Sequence, residues 1–286
     1  MSGRFVVVTG GSSGIGAAAA AACGGLGATV AIVGRSPEKT SAVAAQTGAM
    51  PFTCDFARLD EVRRLAGELA AAFPRIDVLA NNAGLLSRRR ILTVDGHELT
   101  LQVNHLAPFL LTHLLAERLG EGAKVITTSS RMQLAGHIDR SELELPRAGA
   151  ASHGRGAGSS RRYRPFRVYG TTKLANVLFS AELARRWAAR GVAAASYNPG
   201  AVRTDFGRRG GLAVSLAYRS PVRHLLLSPA EGADTLVWLA STQPGEAWKA
   251  GGCYARRRLT RTHPQAGDEE LAAWLFDRSM GLVGLG

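Results

Sequence analysis

Tyr169 and Lys173 stand four residues apart in the stretch YGTTK, a spacing that puts both on one face of a helix. A free tyrosine, with a pKa of about 10, is a poor proton donor or acceptor at neutral pH. A neighbouring ammonium favours the phenolate and lowers that value, so the pair can exchange a proton with a reacting oxygen. A serine hydroxyl directed at the same oxygen would stabilise the charge that develops there, and Ser130, at the end of VITTSS, is such a residue. Taken alone, a Tyr-x-x-x-Lys pair reads as an ordinary amphipathic helix, so its meaning depends on what stands in register with it.

The first such element is the stretch FVVVTGGSSGIGAAAAAACGGLGATVAIVGR, residues 5–35. Phe5-Val6-Val7-Val8 is apolar and β-branched, as for a strand buried on both faces. Gly10, Ser12, Ser13, Gly14, Ile15 and Gly16 form a turn rich in glycine, which a bulky chain could not follow, and the alanine run from Ala17 starts a helix slim enough to lie close to a sheet or ligand. Thr29 to Val33 returns as a second strand. This is a βαβ unit, and its helix N-terminus offers unpaired N–H groups to an anion, most simply a dinucleotide pyrophosphate.

The alternation continues. A helix is predicted over Pro37–Gln46, a strand over Met50–Thr53, and an amphipathic helix over residues 59–73. A strand over 77–80 runs into NNAG at 81–84. A long helix over 97–119 follows despite Pro108, then a strand over 123–128, a helix over 168–190, a strand over 192–197, a helix over 229–241 and a short strand near 252–254. The implied fold class is α/β: a single-domain Rossmann-type, doubly wound parallel sheet with helices on both faces, spanning residues 1–286, with ligands at the carboxyl ends of its strands.

The motifs TGGSSGIG (9–16), NNAG (81–84), Asn104 in LQVNHLAPFLLTHLL, Ser130 after VITTS, YGTTK (169–173) and NPGAVRT (198–204) occur in order at predicted strand and helix ends. On them the chain resembles the short-chain dehydrogenase/reductase family over nearly its whole length, and VNHLAPFLLTHLL, KLANVLFSAEL and the C-terminal segment resemble its retinol-dehydrogenase-like and protochlorophyllide-reductase-like branch. The resemblance implies carbonyl–alcohol interconversion by hydride transfer. Tyr169 would be the general acid or base, Lys173 would hold the nicotinamide ribose, Ser130 would bind the carbonyl oxygen, and Asn104 would anchor a water in a proton relay. Ser130 is preferred to Ser129 for the spacing of Gly136 after it. Asp55 would cap the adenine end, Asn82, Ala83 and Gly84 would line the adenosine ribose side, and Pro199, Gly200, Val202 and Thr204 would hold the carboxamide. Arg35 follows the second strand, where an acid would receive the ribose hydroxyls of NAD; NADP(H) is therefore expected over NAD(H). A sensor or scaffold that binds NADP(H) without turnover is the alternative.

The rest bounds the reading. The net charge is +13, carried by 31 Arg and only 4 Lys in an Ala- and Gly-rich chain, as a GC-rich genome would produce, and the clusters lie apart with no nucleic-acid module around them. No specific nucleic-acid partner is expected. The three cysteines and seven histidines show no metal spacing, and no apolar run is long enough to span a bilayer; a cytoplasmic enzyme is expected. Relatives include both homodimers paired through helices at 97–119 and 168–190 and monomers. Tyr169 lies 39 positions after Ser130, further than in most relatives, and residues 147–167 hold six Arg and no acid, as for a mobile surface insertion. Residues 205–228 mix leucines with Arg208, Arg209, Arg219 and Arg223, which points to a lid over a lipophilic or aromatic carbonyl or alcohol substrate.

Overall fold

A computed structural model describes residues 1–141, 163–203 and 226–286. Most of the insertion at 147–167, and the covering segment up to residue 225 with Thr204, lie outside the described residues.

Eight strands form one sheet in the order β3-β2-β1-β4-β5-β6-β7-β8. They are β1 (Phe5–Thr9), β2 (Thr29–Gly34), β3 (Met50–Thr53), β4 (Val78–Asn81), β5 (Lys124–Thr128), β6 (Ala193–Tyr197), β7 (Cys253–Ala255) and β8 (Arg258–Leu259). All neighbours are parallel except β7 and β8. Parallel strands need crossover helices on both faces, so their residues are buried in both directions. Val6, Val7 and Val8 are accordingly fully buried, each contributing roughly 1.5–3 kcal/mol.

The period of two divides the sheet between two cores. Val7, Ala31, Val33, Leu79, Val125 and Ala194 point to the helices α3 (Leu59–Ala72), α5 (Ala107–Leu114) and α6 (Pro165–Arg186). Val6, Val8, Ile32, Ala80, Ile126 and Ala195 point to the opposite face, against α1 (Gly14–Gly25), α2 (Pro37–Thr47) and α7 (Pro229–Ser241). Ala19 and Ala20 of α1 are fully buried, so the alanine tract is what brings that helix against the sheet. Lys124 is buried in β5, and its ammonium donates to the carbonyls of Ala240 (2.9 Å) and Thr242 (2.6 Å), closing the C-terminus of α7.

Three features differ from the sequence expectation. The predicted helix over 97–119 is not continuous: α4 (Leu99–Leu101) passes through a π-helical turn at Gln102–Leu106 into α5, and a 3₁₀ turn at Ala116–Arg118 ends the run. The cause is Pro108, which lacks the N–H that the Asn104 carbonyl would accept in an α-helix; the Ala107 N–H instead reaches back to the Gln102 carbonyl. Strand β8 and a C-terminal helix, α8 (Glu269–Leu282), are additional. Asp268 caps α8 by accepting from the Leu271 N–H at 2.9 Å, and Leu271, Ala272 and Leu275 pack with Ile138, Leu174 and Leu178 in a third, smaller core.

Candidate active site

The carboxyl ends of the parallel strands open into a cleft of about 540 Å³. One end is built by the glycine-rich turn after β1. Gly10 and Gly14 adopt φ of 68° and 57°, the left-handed region that glycine enters without a Cβ penalty. A Cβ on Gly16 would lie 2.3 Å from the Gly10 carbonyl oxygen, and one on Gly10 would lie 2.9 Å from the Ala83 Cα; backbone therefore touches backbone here. Ser13 makes no side-chain cap on α1, so the first N–H groups of that helix are left for a ligand, beside Ser12, Ser13, Gly14, Ile15 and Gly16 in the cleft wall.

Asn82 fixes this turn from behind. Its Nδ2 donates to the Thr9 carbonyl at 2.9 Å, and its Oδ1 accepts from Tyr197 Oη at 3.3 Å and Thr128 Oγ1 at 3.4 Å. The side chain thus ties β1, β5 and β6 together at the cleft floor. Ala83 and Gly84 line the cleft next to it, and Gly84 packs tightly there, since a Cβ would be 3.1 Å from Asn104 Oδ1 and 3.5 Å from Lys173 Nζ.

At the end of β2, Arg35 and Lys39 both line the cleft and are both exposed. Neither has an ion-pair partner among the described residues. Ser36 caps α2 by accepting from the Lys39 N–H (3.3 Å) and donates to Glu38 Oε2 (2.7 Å), an interaction that holds the Glu38 carboxyl below the usual range. Asp55 lines the same end, accepting from the Ala57 N–H at 3.0 Å.

Across the cleft, α6 carries Tyr169 and Lys173. The Lys173 Nζ lies 5.5 Å from the centre of the Tyr169 ring and donates to the Thr128 carbonyl at 2.9 Å. Lys173 is 2% exposed, and desolvation pulls its pKa down from 10.5 to about 7. The two serines after β5 separate cleanly. Ser129 is buried and spends its proton on the Lys173 carbonyl at 2.8 Å. Ser130 lines the cleft and caps the short 3₁₀ helix Arg131–Ala135, its Oγ accepting from the Met132 N–H at 3.2 Å. That leaves the Ser130 hydroxyl proton available to a ligand oxygen, which Ser129 cannot offer.

Asn104 is the described member of the expected set that does not line the cleft. It is 1% exposed; its Nδ2 donates to the Leu85 carbonyl (2.9 Å) and Thr172 Oγ1 (3.0 Å), and its Oδ1 accepts from the Leu85 N–H (2.7 Å). Both amide protons are committed, so a water would have to donate, to Oδ1 or to the main-chain carbonyl that Pro108 deprives of its α-helical donor. Pro199, Gly200 and Val202 line the remaining wall. Gly200 has φ of 82° and approaches Leu227 so closely that a Cβ would be 2.8 Å from its Cδ1.

Cleft residues with no place in the sequence expectation include Lys39, Leu85, Leu86, Met132 and Phe166. Lys39 was visible as a cation one helical turn after Arg35. The apolar ones sit in loops, in the short 3₁₀ helix Arg131–Ala135 or at the first turn of α6, where no periodicity marks them. Among the described residues no three His, Cys, Asp or Glu side chains gather as metal ligands, and no helix is long and apolar enough to cross a membrane.

Residues 4–141 match the family described as short chain dehydrogenase. A protein of Streptomyces sp. (strain C5), provisionally named daunorubicin C-13 ketoreductase, is 45% identical over 99% of this chain and 93% of its own length. Human retinol dehydrogenase 13 is 33% identical over 99% of this chain and 85% of its own. Among solved structures, an uncharacterised protein from Mycobacterium paratuberculosis superposes with a TM-score of 0.77 at 30% identity, covering 99% of this chain and 94% of that one. A short chain dehydrogenase from Burkholderia cenocepacia, solved in complex with NADP, does so with a TM-score of 0.66 at 26% identity, covering 88% and 95%.

Proposed function

The chain belongs to the short-chain dehydrogenase/reductase family and is an oxidoreductase of carbonyl and alcohol groups; from that premise we propose that it is an NADP(H)-dependent reductase of apolar, aromatic ketones. The observation that carries this reading is the convergence of the Ser130 hydroxyl, Tyr169 and Lys173 at one end of a cleft whose other end is a glycine cradle with two cations beside it.

The chain's own residues fit a dinucleotide. The N–H groups opening α1 and the close-packed Gly10 and Gly16 would hold the pyrophosphate, Asp55 the adenine end, Lys173 the nicotinamide ribose, and Pro199, Gly200 and Val202 the carboxamide. Arg35 and Lys39, with no acid directly after β2 and Glu38 tied to Ser36 outside the cleft lining, favour a 2′-phosphate. The NADP found in the Burkholderia relative supports that choice.

When bound, the nicotinamide supplies hydride for reduction or accepts it for oxidation. Ser130 Oγ donates its proton as a hydrogen bond to the carbonyl oxygen, where negative charge grows. Tyr169 Oη delivers the proton that completes the alcohol, or removes it in the reverse direction. The nearby Lys173 ammonium stabilises the phenolate that results. The Asn104 carbonyl, deprived of its α-helical donor by Pro108, would hold the water that returns a proton towards Lys173. Met132, Phe166, Leu85 and Leu86 line the cleft, and such apolar and aromatic surface suits a flat lipophilic substrate.

The test is initial rates with NADPH and with NADH against aryl ketones, quinones and short aliphatic aldehydes. The reading expects kcat/KM at least tenfold higher for NADPH and higher for aryl than for aliphatic carbonyls. A preference for NADH, or for small polar aldehydes, would overturn it.

A further inference from the structure

Ser130 and Tyr169 come from different elements, and the loop that carries Ser130 must be held in register with α6. On one side it is, by contact of backbone with backbone: a Cβ on Gly136 would lie 2.4 Å from the Gly170 carbonyl oxygen, and one on Gly170 would lie 2.6 Å from the Met132 oxygen. Thr171 Oγ1 adds a bond to the His137 carbonyl at 3.0 Å. Thr171 Oγ1 also accepts from the His137 N–H at 3.3 Å, so this side of the loop is pinned to α6, while its outer side faces the C-terminal segment.

The outer side is held by two glutamines. Gln133, 2% exposed and three residues beyond Ser130, donates from Nε2 to the Arg261 carbonyl (3.1 Å) and accepts at Oε1 from the His263 N–H (2.8 Å). Gln265 performs the reciprocal operation: its Nε2 donates to the Ile138 carbonyl (2.9 Å) and its Oε1 accepts from the Ile138 N–H (3.0 Å). Each amide thus does what a neighbouring strand would do, pairing with one donor and one acceptor of the opposite backbone. Together they stitch residues 133–138 to residues 261–265, which α8 then anchors, through Leu271 and Leu275, against Ile138 and the same α6 that carries Tyr169.

We infer that Gln133 and Gln265 are positioning residues: they fix the loop so that the Ser130 hydroxyl and Tyr169 face one substrate oxygen, and through them the C-terminal segment controls turnover without touching the cofactor. The inference rests on the reductase reading above. Within the short 3₁₀ helix, the Gln133 N–H bonds the Ser130 carbonyl at 3.0 Å, so a shift of Gln133 passes directly to Ser130. Because a hydrogen bond to a developing charge weakens steeply with displacement, loosening this loop lowers the rate of the chemical step more than it lowers cofactor binding.

Gln133→Met keeps the length and burial of the side chain and removes both hydrogen bonds. It would be measured with 9,10-phenanthrenequinone and NADPH, in the parent and in the Ser130→Ala background, alongside hydrogen exchange of the full-length protein. The expected result is a kcat at least tenfold lower with KM for NADPH within twofold, no further loss when Ser130 is already alanine, and exchange at least tenfold faster in residues 131–138 while the middle of α6 stays protected. Unchanged kcat or unchanged exchange overturns the inference, as does an equal loss in both backgrounds, which would mean a general structural role. If Ser130→Ala alone keeps full turnover, the reductase reading fails at Ser130 and this inference falls with it; if Ser130→Ala abolishes turnover while Gln133→Met does not, only the positioning role falls. Gln265→Leu, at the other stitch, carries the same test with the same outcomes should Gln133→Met not fold.

Discussion

Replacing Gly16 with alanine adds one methyl group at the point where the glycine turn meets α1. The new Cβ would lie 2.3 Å from the Gly10 carbonyl oxygen and 2.8 Å from Asn82 Nδ2, where ordinary contact begins near 3.4 Å. The start of α1 must therefore retreat by about 1 Å, or the turn must open by as much. Neither is easy, since Asn82 is already held by Thr9, Tyr197 and Thr128. Overpacking of this kind costs about 1–3 kcal/mol, or a melting temperature lower by roughly 3–10 °C. The effect on ligand binding is larger in proportion. Misaligning two charge-assisted N–H contacts at about 1.5 kcal/mol each weakens pyrophosphate binding by more than about 100-fold. With NADPH at about 100 times the parent Kd, the parent gains about 2.7 kcal/mol of stability and Gly16→Ala only about 0.4. Thermal unfolding with and without NADPH reads both numbers. The control is Gly67→Ala: Gly67 is exposed in the middle of α3, and its Cβ would meet nothing within 4 Å, so helix propensity alone makes that variant about 0.8–1 kcal/mol more stable with cofactor binding intact. A Gly16→Ala protein that keeps the full NADPH-induced shift would refute the placement of the pyrophosphate at this turn.

The remaining predictions concern charge and proton. Arg35→Ser and Lys39→Ser should each raise KM for NADPH about fivefold, because exposed ion pairs are worth about 1 kcal/mol, with KM for NADH unmoved and the difference shrinking in high salt; equal effects on both cofactors would exclude a 2′-phosphate contact. Ser130→Ala should lower kcat about 100-fold and cost no more than about 1 kcal/mol for the lost cap on the Met132 N–H, whereas Ser129→Ala, which loses a buried bond to the Lys173 carbonyl, should cost about 1 kcal/mol of stability with kcat within about threefold; steady-state kinetics with urea titration separate the two, and the reverse pattern in kcat would reassign the serines. Burial holds Lys124 at about 8 and Lys173 at about 7, below the ordinary 10.5. The unfolded chain therefore binds more protons above pH 7, and stability without cofactor should rise between pH 7 and 8.5, by up to about 1.4 kcal/mol per pH unit for each lysine fully deprotonated in the fold. Urea midpoints across that range should show the rise, with a smaller slope in Lys124→Met; a midpoint that falls would contradict the assignment.

Most of the strands and the helices between them were legible because a parallel sheet buried on both faces demands continuous apolar runs, and FVVVT, TVAIVG and KVITT meet that demand without competing turn residues. Part of the cleft was legible for a related reason: the turn requires Gly10 and Gly14 for their positive φ and Gly16 for its close approach, whereas Tyr169 and Lys173 stood out by their chemistry in company with the other motifs. What was missed depends on distance in space. The π-turn at Gln102–Leu106 follows from one missing N–H at Pro108, a signal present in the sequence but weaker than the apolar periodicity that surrounds it. Helix α8 carried its own markers, Asp268 as cap and Glu269 and Glu270 in the first turn, obscured by the preceding run of arginines. Strand β8 is only two residues long and pairs across a turn in which Arg256 and Arg257 take φ of 51° and 59°, a conformation those residue types do not advertise. The commitment of Asn104 to Leu85 and Thr172, and the stitches of Gln133 and Gln265, join residues that only the finished fold brings together.

The central claim is that Tyr169 moves the proton in a site that binds NADPH independently of it. The direct measurement is NADPH oxidation by Tyr169→Phe beside the parent on one aryl ketone, with the NADPH-induced melting shift recorded for both. The account predicts an unchanged shift and turnover lower by about 100-fold or more. Turnover within twofold of the parent would contradict it.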